Sequence, residues 1–124
     1  MDRNNKIAQI TKEFALRIIK LSNYLCEEKQ EFILSKQVLR SGTSIGANIR
    51  ESIYAQSKAD FISKLSIALK ESSETEYWLE LLHESGYLCD KEFESIYDDN
   101  SKISATLINI IKKSKTSAEK TVIV

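Results

Sequence analysis

From Phe61 onward, apolar and small residues recur at alternating steps of four and three: Phe61, Leu65, Ala68, Ser72, Thr75, Leu79 and Leu82. That spacing keeps all seven on one side of an α-helix and favours left-handed packing against nearly parallel or antiparallel neighbours. A seam of this length needs other helices to bury it, and the sequence supplies them. Ile7, Ile10, Phe14, Ile18, Leu21 and Leu25 mark one amphipathic helix, and Leu34, Val38, Gly42, Ile45, Ile49 and Ile53 mark a second. A fourth stripe runs through Phe93, Ile96 or Tyr97, Ile103, Leu107 and Ile110 or Ile111. The punctuation agrees with these boundaries. The polar cluster Glu27 to Glu31 separates the first two stripes, and Ser57-Lys-Ala-Asp60 resembles a capping box ahead of the third. Gly86 is a C-terminal stop for that helix, and Asp90 can cap the fourth. There is no proline, and no Asn-Gly or Asp-Gly pair that would turn a hairpin. The expected fold is all-α, an antiparallel up-down four-helix bundle over residues 1–113. Beyond Ile111 the periodicity stops, so residues 114–124 are expected to form a frayed or disordered tail.

Two of the three glycines, Gly42 and Gly46, fall inside the second stripe, where each costs about 1 kcal/mol against alanine. Together with Ser41, Thr43, Ser44 and Ala47 they present bare backbone over one turn, which lets a neighbouring helix approach closely. The hydroxyls can bond back to helix carbonyls and so need no outside partner. A phosphate cradle would need a loop feeding a helix N-terminus, and SGTSIGAN has neither the GKS/GKT ending nor a preceding strand.

Eighteen Lys and Arg balance eighteen Asp and Glu in 124 residues, so no net charge draws the chain to nucleic acid or to an anionic membrane. The first residues lack the apolar core of a signal peptide, and no apolar run approaches the ~18 residues of a membrane span. A cytoplasmic protein is expected, with Cys26 and Cys89 as free thiols. Any nucleic-acid contact has to come from local patches. The candidates are Lys36 with Arg40 one turn later, and Lys112, Lys113 and Lys115 in the tail. Arg40 and Arg50 lie roughly 80° apart around the helix axis, too divergent for one patch.

Glu51, Glu71 and Glu74 could converge if the second and third helices pack together. The role expected for Glu51 and Glu74 is pairing with Arg40, with an arginine of another copy, or with Asn48. Glu80-x-x-His83 has the spacing of one half of a dimetal site, but His83 is the only histidine, so neither a metal nor a cofactor is expected. Tyr77 and Trp78 stand among Glu74, Glu76 and Glu80, whose charge would repel a phosphate backbone, and are read as anchors in the core or at a subunit interface. No serine or cysteine can be tied to a base, which argues against an enzyme.

The run from Leu34 to Leu82 carries Gln37-Val38-Leu39-Arg40-Ser41, Thr43 to Ile49 (TSIGANI), Ser57 to Phe61 and Glu74 to Leu79. It resembles the signature of the bacterial four-helix bundle proteins also called 23S rRNA intervening sequence proteins. Val38 stands where that family usually has leucine, and Arg50-Glu51-Ser52 where Ala-Glu-Gly is common. The resemblance implies the bundle fold, a ring-shaped homo-oligomer of five subunits and no enzymatic reaction. The family is named after members encoded inside intervening sequences of ribosomal RNA genes, and a basic relative is the accessory protein of diversity-generating retroelements. Two functions follow as expectations: an adaptor for structured RNA or a ribonucleoprotein acting through local basic patches, or a scaffold binding only protein, with Thr121 to Val124 as one conceivable contact.

Overall fold

The computed structural model describes residues 3–123, and side chains from residue 6 to residue 116. The chain forms four helices, α1 (Arg3–Lys29), α2 (Leu34–Ile53), α3 (Lys58–Glu84) and α4 (Asp90–Ile123), with no strand among the described residues. They make an antiparallel up-down bundle. α2 packs against both α1 and α3, and α3 also against α4, whereas α1 and α4 meet only lightly.

The stripes meet along the bundle axis. Ile18, Leu25, Val38, Ile45, Leu65, Leu79, Leu82 and Leu107 are fully buried. Each such side chain stabilises the fold by about 1.5–3 kcal/mol relative to exposure. The α3 seam is buried from Leu65 to Leu82 without a gap, its polar members included. Thr75 Oγ1 donates to Ser41 Oγ at 2.8 Å, and Ser72 Oγ donates to Asn100 Oδ1 at 2.8 Å. No buried side-chain polar atom among the described residues lacks a partner, so the polar layer costs little desolvation.

Sequence reading and structure differ at four places. At the end of α2 the buried residue is Ser52 rather than Ile53, which is 38% exposed. On α1 the buried residue is Thr11 rather than Ile10, which is 38% exposed. Thr11 faces α2 where that helix is bare, while Ile10 lies in the α1–α4 furrow. On α4 the place between Ile96 and Ile103 is taken by buried Asn100, whose amide also donates to the carbonyl of Ser72 at 3.0 Å. Finally, α4 runs on as helix to Ile123, past residue 113 where the bundle was expected to end. Core packing ends with Ile111, yet no glycine or proline follows it, and Lys, Ala and Glu are good helix formers. The side chains of Lys120 and Thr121 to Val124 lie outside the described residues.

The connections are set by local chemistry. α1 ends through Gln30, whose φ of 56° lets the Glu31 N–H reach the Leu25 carbonyl at 2.9 Å. The Glu31 carboxylate then turns to the next helix and accepts from the backbone N–H groups of Ile33, Leu34 and Ser35 at 3.2, 2.9 and 2.7 Å. It satisfies three donors that the start of α2 cannot pair internally. Ser57 caps α3 by accepting from the Asp60 N–H at 3.0 Å, and Gly86, at φ 89°, reverses the chain after it. Asp90 is the first residue of α4, and its carboxylate meets His83 at 2.7 Å.

Candidate functional site

The glycines of α2 lie where α1 crosses it. A Cβ added to Gly42 would sit 2.7 Å from Cγ1 of Ile18, and one on Gly46 would sit 3.3 Å from the carbonyl oxygen of Thr11. The close approach consumes the exposed-backbone turn, leaving no anion cradle. The hydroxyls beside it are mostly satisfied within the helix: Thr43 donates to the Leu39 carbonyl at 2.8 Å and Ser44 to the Arg40 carbonyl at 2.6 Å. The Asn48 amide likewise donates to the Ser44 carbonyl at 2.9 Å.

Arg40 leans across to α3, where its guanidinium contacts Glu74 and, at 3.3 Å, Glu71. Trp78 Nε1 donates to the same Glu74 oxygen at 3.1 Å. These contacts hold the Glu74 carboxyl below the usual carboxylate range, through the Trp78 hydrogen bond first and Arg40 second, while the bond to Glu74 raises Arg40. Trp78 is half-buried, and its neighbour Tyr77, with ring centroids 5.2 Å apart, is 53% exposed. Glu51 does not join this group. It pairs with Lys64 at 2.9 Å, about three turns toward the other end of the bundle.

Glu80 and His83 also part company. Glu80 and Glu76 both accept from the Tyr97 hydroxyl, at 3.0 and 2.6 Å, and these carboxylates, Glu76 foremost, push the phenol well above its usual range. His83 stacks on Phe93 at 4.1 Å. Among the described residues no three His, Cys, Asp or Glu side chains converge as a metal-binding group.

The basic candidates separate into two places. Lys36 and Arg40 lie toward the end of the bundle that carries the α1–α2 and α3–α4 connections, and Arg40 there is neutralised by two carboxylates. Lys112, Lys113 and Lys115 lie at the opposite end. A cavity of about 300 Å³ lined by Lys6, Ile7, Ile10, Ile110 and Lys113 puts the start of α1 beside the far part of α4. Lys58 opens α3 at the same level, because α3 and α4 run antiparallel through the Ser72–Asn100 and His83–Asp90 contacts. The opposite end gathers Glu27, Glu28, Glu84, Asp90, Glu92 and Glu94 against Lys29, Lys36 and Lys91. A chain with no net charge therefore has one basic and one acidic end. Sequence reading misses this because the basic end is assembled from three separate stretches and the acidic end from two.

The sequence profile of the 23S rRNA-intervening sequence proteins matches residues 3–109. The chain belongs to that family. A solved structure from Bacteroides thetaiotaomicron VPI-5482, described as a protein of unknown function from the S23 ribosomal protein family, is 56% identical and superposes with a TM-score of 0.87. The likeness covers 88% of this chain and 97% of that one. No curated protein matches. The matched region of this intervening-sequence protein takes in all of α1 to α3 and most of the packed part of α4, so the shared feature is the bundle itself. No helix among its described residues is long and apolar enough to cross a membrane.

Proposed function

We propose that this protein is a non-enzymatic, self-associating adaptor in the cytoplasm that engages structured RNA or a ribonucleoprotein through the basic end of its bundle. The observation that carries the reading is the gathering of Lys6, Lys58, Lys112, Lys113 and Lys115 at one end of a chain whose charges cancel overall. The acids nearest that end are otherwise engaged: Glu51 pairs with Lys64, and Asp60 accepts from the Gln56 N–H at 3.2 Å. Family membership supports self-association into a ring of five, and a modest patch repeated around a ring gains avidity. The family name connects its members with ribosomal RNA genes, which is the reason for choosing RNA over duplex DNA.

The test is a fluorescence-anisotropy titration against a structured RNA and a length-matched duplex DNA at two salt concentrations. RNA is expected to bind more tightly than the duplex. Each phosphate neutralised adds about 0.7–0.9 to the slope of log affinity against log salt. Changing Lys112, Lys113 and Lys115 together to Gln should cut the affinity at least tenfold, lower that slope and leave the helical content unchanged. Absence of binding at low salt by an oligomeric protein would leave the protein-only scaffold as the surviving reading.

A further inference from the structure

The axial separation of charge coincides with a second feature. The acidic end carries Phe32, 52% exposed, and Ile33, 74% exposed, side by side in the α1–α2 connection. The basic end carries Ile53 and Tyr54, the latter 78% exposed, where α2 turns toward α3. Large apolar side chains this open are costly to hydrate, and here each pair sits at an end where one sign of charge predominates. The two ends are complementary to each other and not to themselves: two acidic ends or two basic ends would repel.

We infer that a second copy of this chain docks end to end, the acidic Phe32–Ile33 end of one on the basic Ile53–Tyr54 end of the next. Such a contact is heterologous, using different patches on the two partners, so it does not close after one step and the assembly grows with concentration. If chains first join sideways into a ring, the same contact stacks the rings. Apolar contact between the exposed pairs supplies attraction, and the opposed charges set orientation and make the affinity salt-dependent. The inference goes beyond the RNA reading and is tested without RNA, so either can fail alone. Where both hold, RNA and the second copy compete for Lys112 and Lys113.

The experiment is sedimentation velocity on nuclease-treated protein over a range of concentrations at low and high salt. The weight-average mass should climb with concentration at low salt. At about 1 M salt, where the screening length falls to about 3 Å, it should drop to a concentration-independent unit. Two variants sharpen the result. Glu27→Lys with Glu28→Lys removes the acidic excess of one end, and Lys112→Glu, Lys113→Glu and Lys115→Glu together turn the other end acidic. Each alone should lose the growth, and an equimolar mixture should recover it, because the ends are again complementary. Ile33→Ser and Tyr54→Ser, which leave the charges alone, should each weaken growth several-fold while the circular dichroism stays native. A mass independent of concentration at low salt overturns the inference. So does a mixture no heavier than its components, or growth that survives both charge reversals, which would place the contact on the sides of the bundle.

Discussion

At Gly42 the space available to one atom decides the residue. Alanine there adds about 1 kcal/mol of helix propensity, but its Cβ would press on Cγ1 and Cγ2 of fully buried Ile18 at 2.7 and 2.9 Å. Overpacking of this kind costs about 1–3 kcal/mol. Gly42→Ala is therefore expected to destabilise by up to about 2 kcal/mol in urea unfolding. Combined with Ile18→Ala it should cost less than the sum of the two single changes, since the clash disappears with the isoleucine. Equal additivity would show that the backbones had simply moved apart. Glu74 offers a test by pH. Its folded-state pKa lies below the unfolded carboxylate value of about 4.3, so its contribution is present above that value and is lost as pH falls through the folded one. Glu74→Gln keeps an acceptor for Trp78 but cannot titrate. Its stability should fall less steeply than the native protein's from about pH 5 downward, as read from urea midpoints at a series of pH values.

Each helix owes its position to its ends as much as to its stripe, and the α1–α2 connection holds the least expected of these devices. Glu31 is almost fully buried and accepts three backbone N–H groups, so Glu31→Ala leaves three donors at the start of α2 without a partner. Its expected cost is about 2 kcal/mol, at the upper end for a helix cap, seen as a lower urea midpoint with an unchanged slope. One residue earlier the sign reverses. Gln30 occupies a left-handed conformation that costs a side-chain-bearing residue about 1 kcal/mol, so Gln30→Gly should raise the midpoint. All four stripes were legible in the sequence because apolar spacing reports directly on which helix face is buried. The capping box at Ser57 and the stop at Gly86 were legible too, because their residue types are specific to those roles. Gln30 and Glu31 were not, since glutamine is rarely left-handed and a glutamate in a polar cluster reads as solvated. The length of α4 was not legible for a related reason: loss of amphipathic spacing marks the end of packing, not the end of hydrogen-bonded helix.

Across the whole molecule, the seams are unequal. α2 and α3 each pack on two neighbours, while α1 and α4 are each held along one side and barely meet, so the bundle behaves as an open row folded round on itself. Two polar contacts tie the ends of the row together. Arg17 of α1 bonds to Asp99 at 2.7 Å and donates to the Ser95 hydroxyl at 2.6 Å, both on α4. Partly exposed pairs of this kind contribute about 0–1 kcal/mol. The same openness lets Lys6 and the α4 lysines share one end, a grouping hidden in the sequence because it depends on which helices run side by side. Unequal seams imply unequal local stability. Native-state hydrogen exchange should find the slowest amides in the middles of α2 and α3, around Ile45 and Thr75, opening only with the whole fold. The amides of α1 and of α4 up to Ile111 should exchange through smaller openings with a weaker denaturant dependence, and those from Lys112 to Thr116, beyond the last core residue, fastest of all. Arg17→Ala should speed exchange in α1 and α4 and leave α2 and α3 almost unchanged, because it releases the bonds to Asp99 and Ser95 across the weak seam without touching the strong ones. If all four helices instead exchanged with one free energy and one denaturant slope, the bundle would be a single cooperative unit, and the light contact between α1 and α4 would have no energetic meaning.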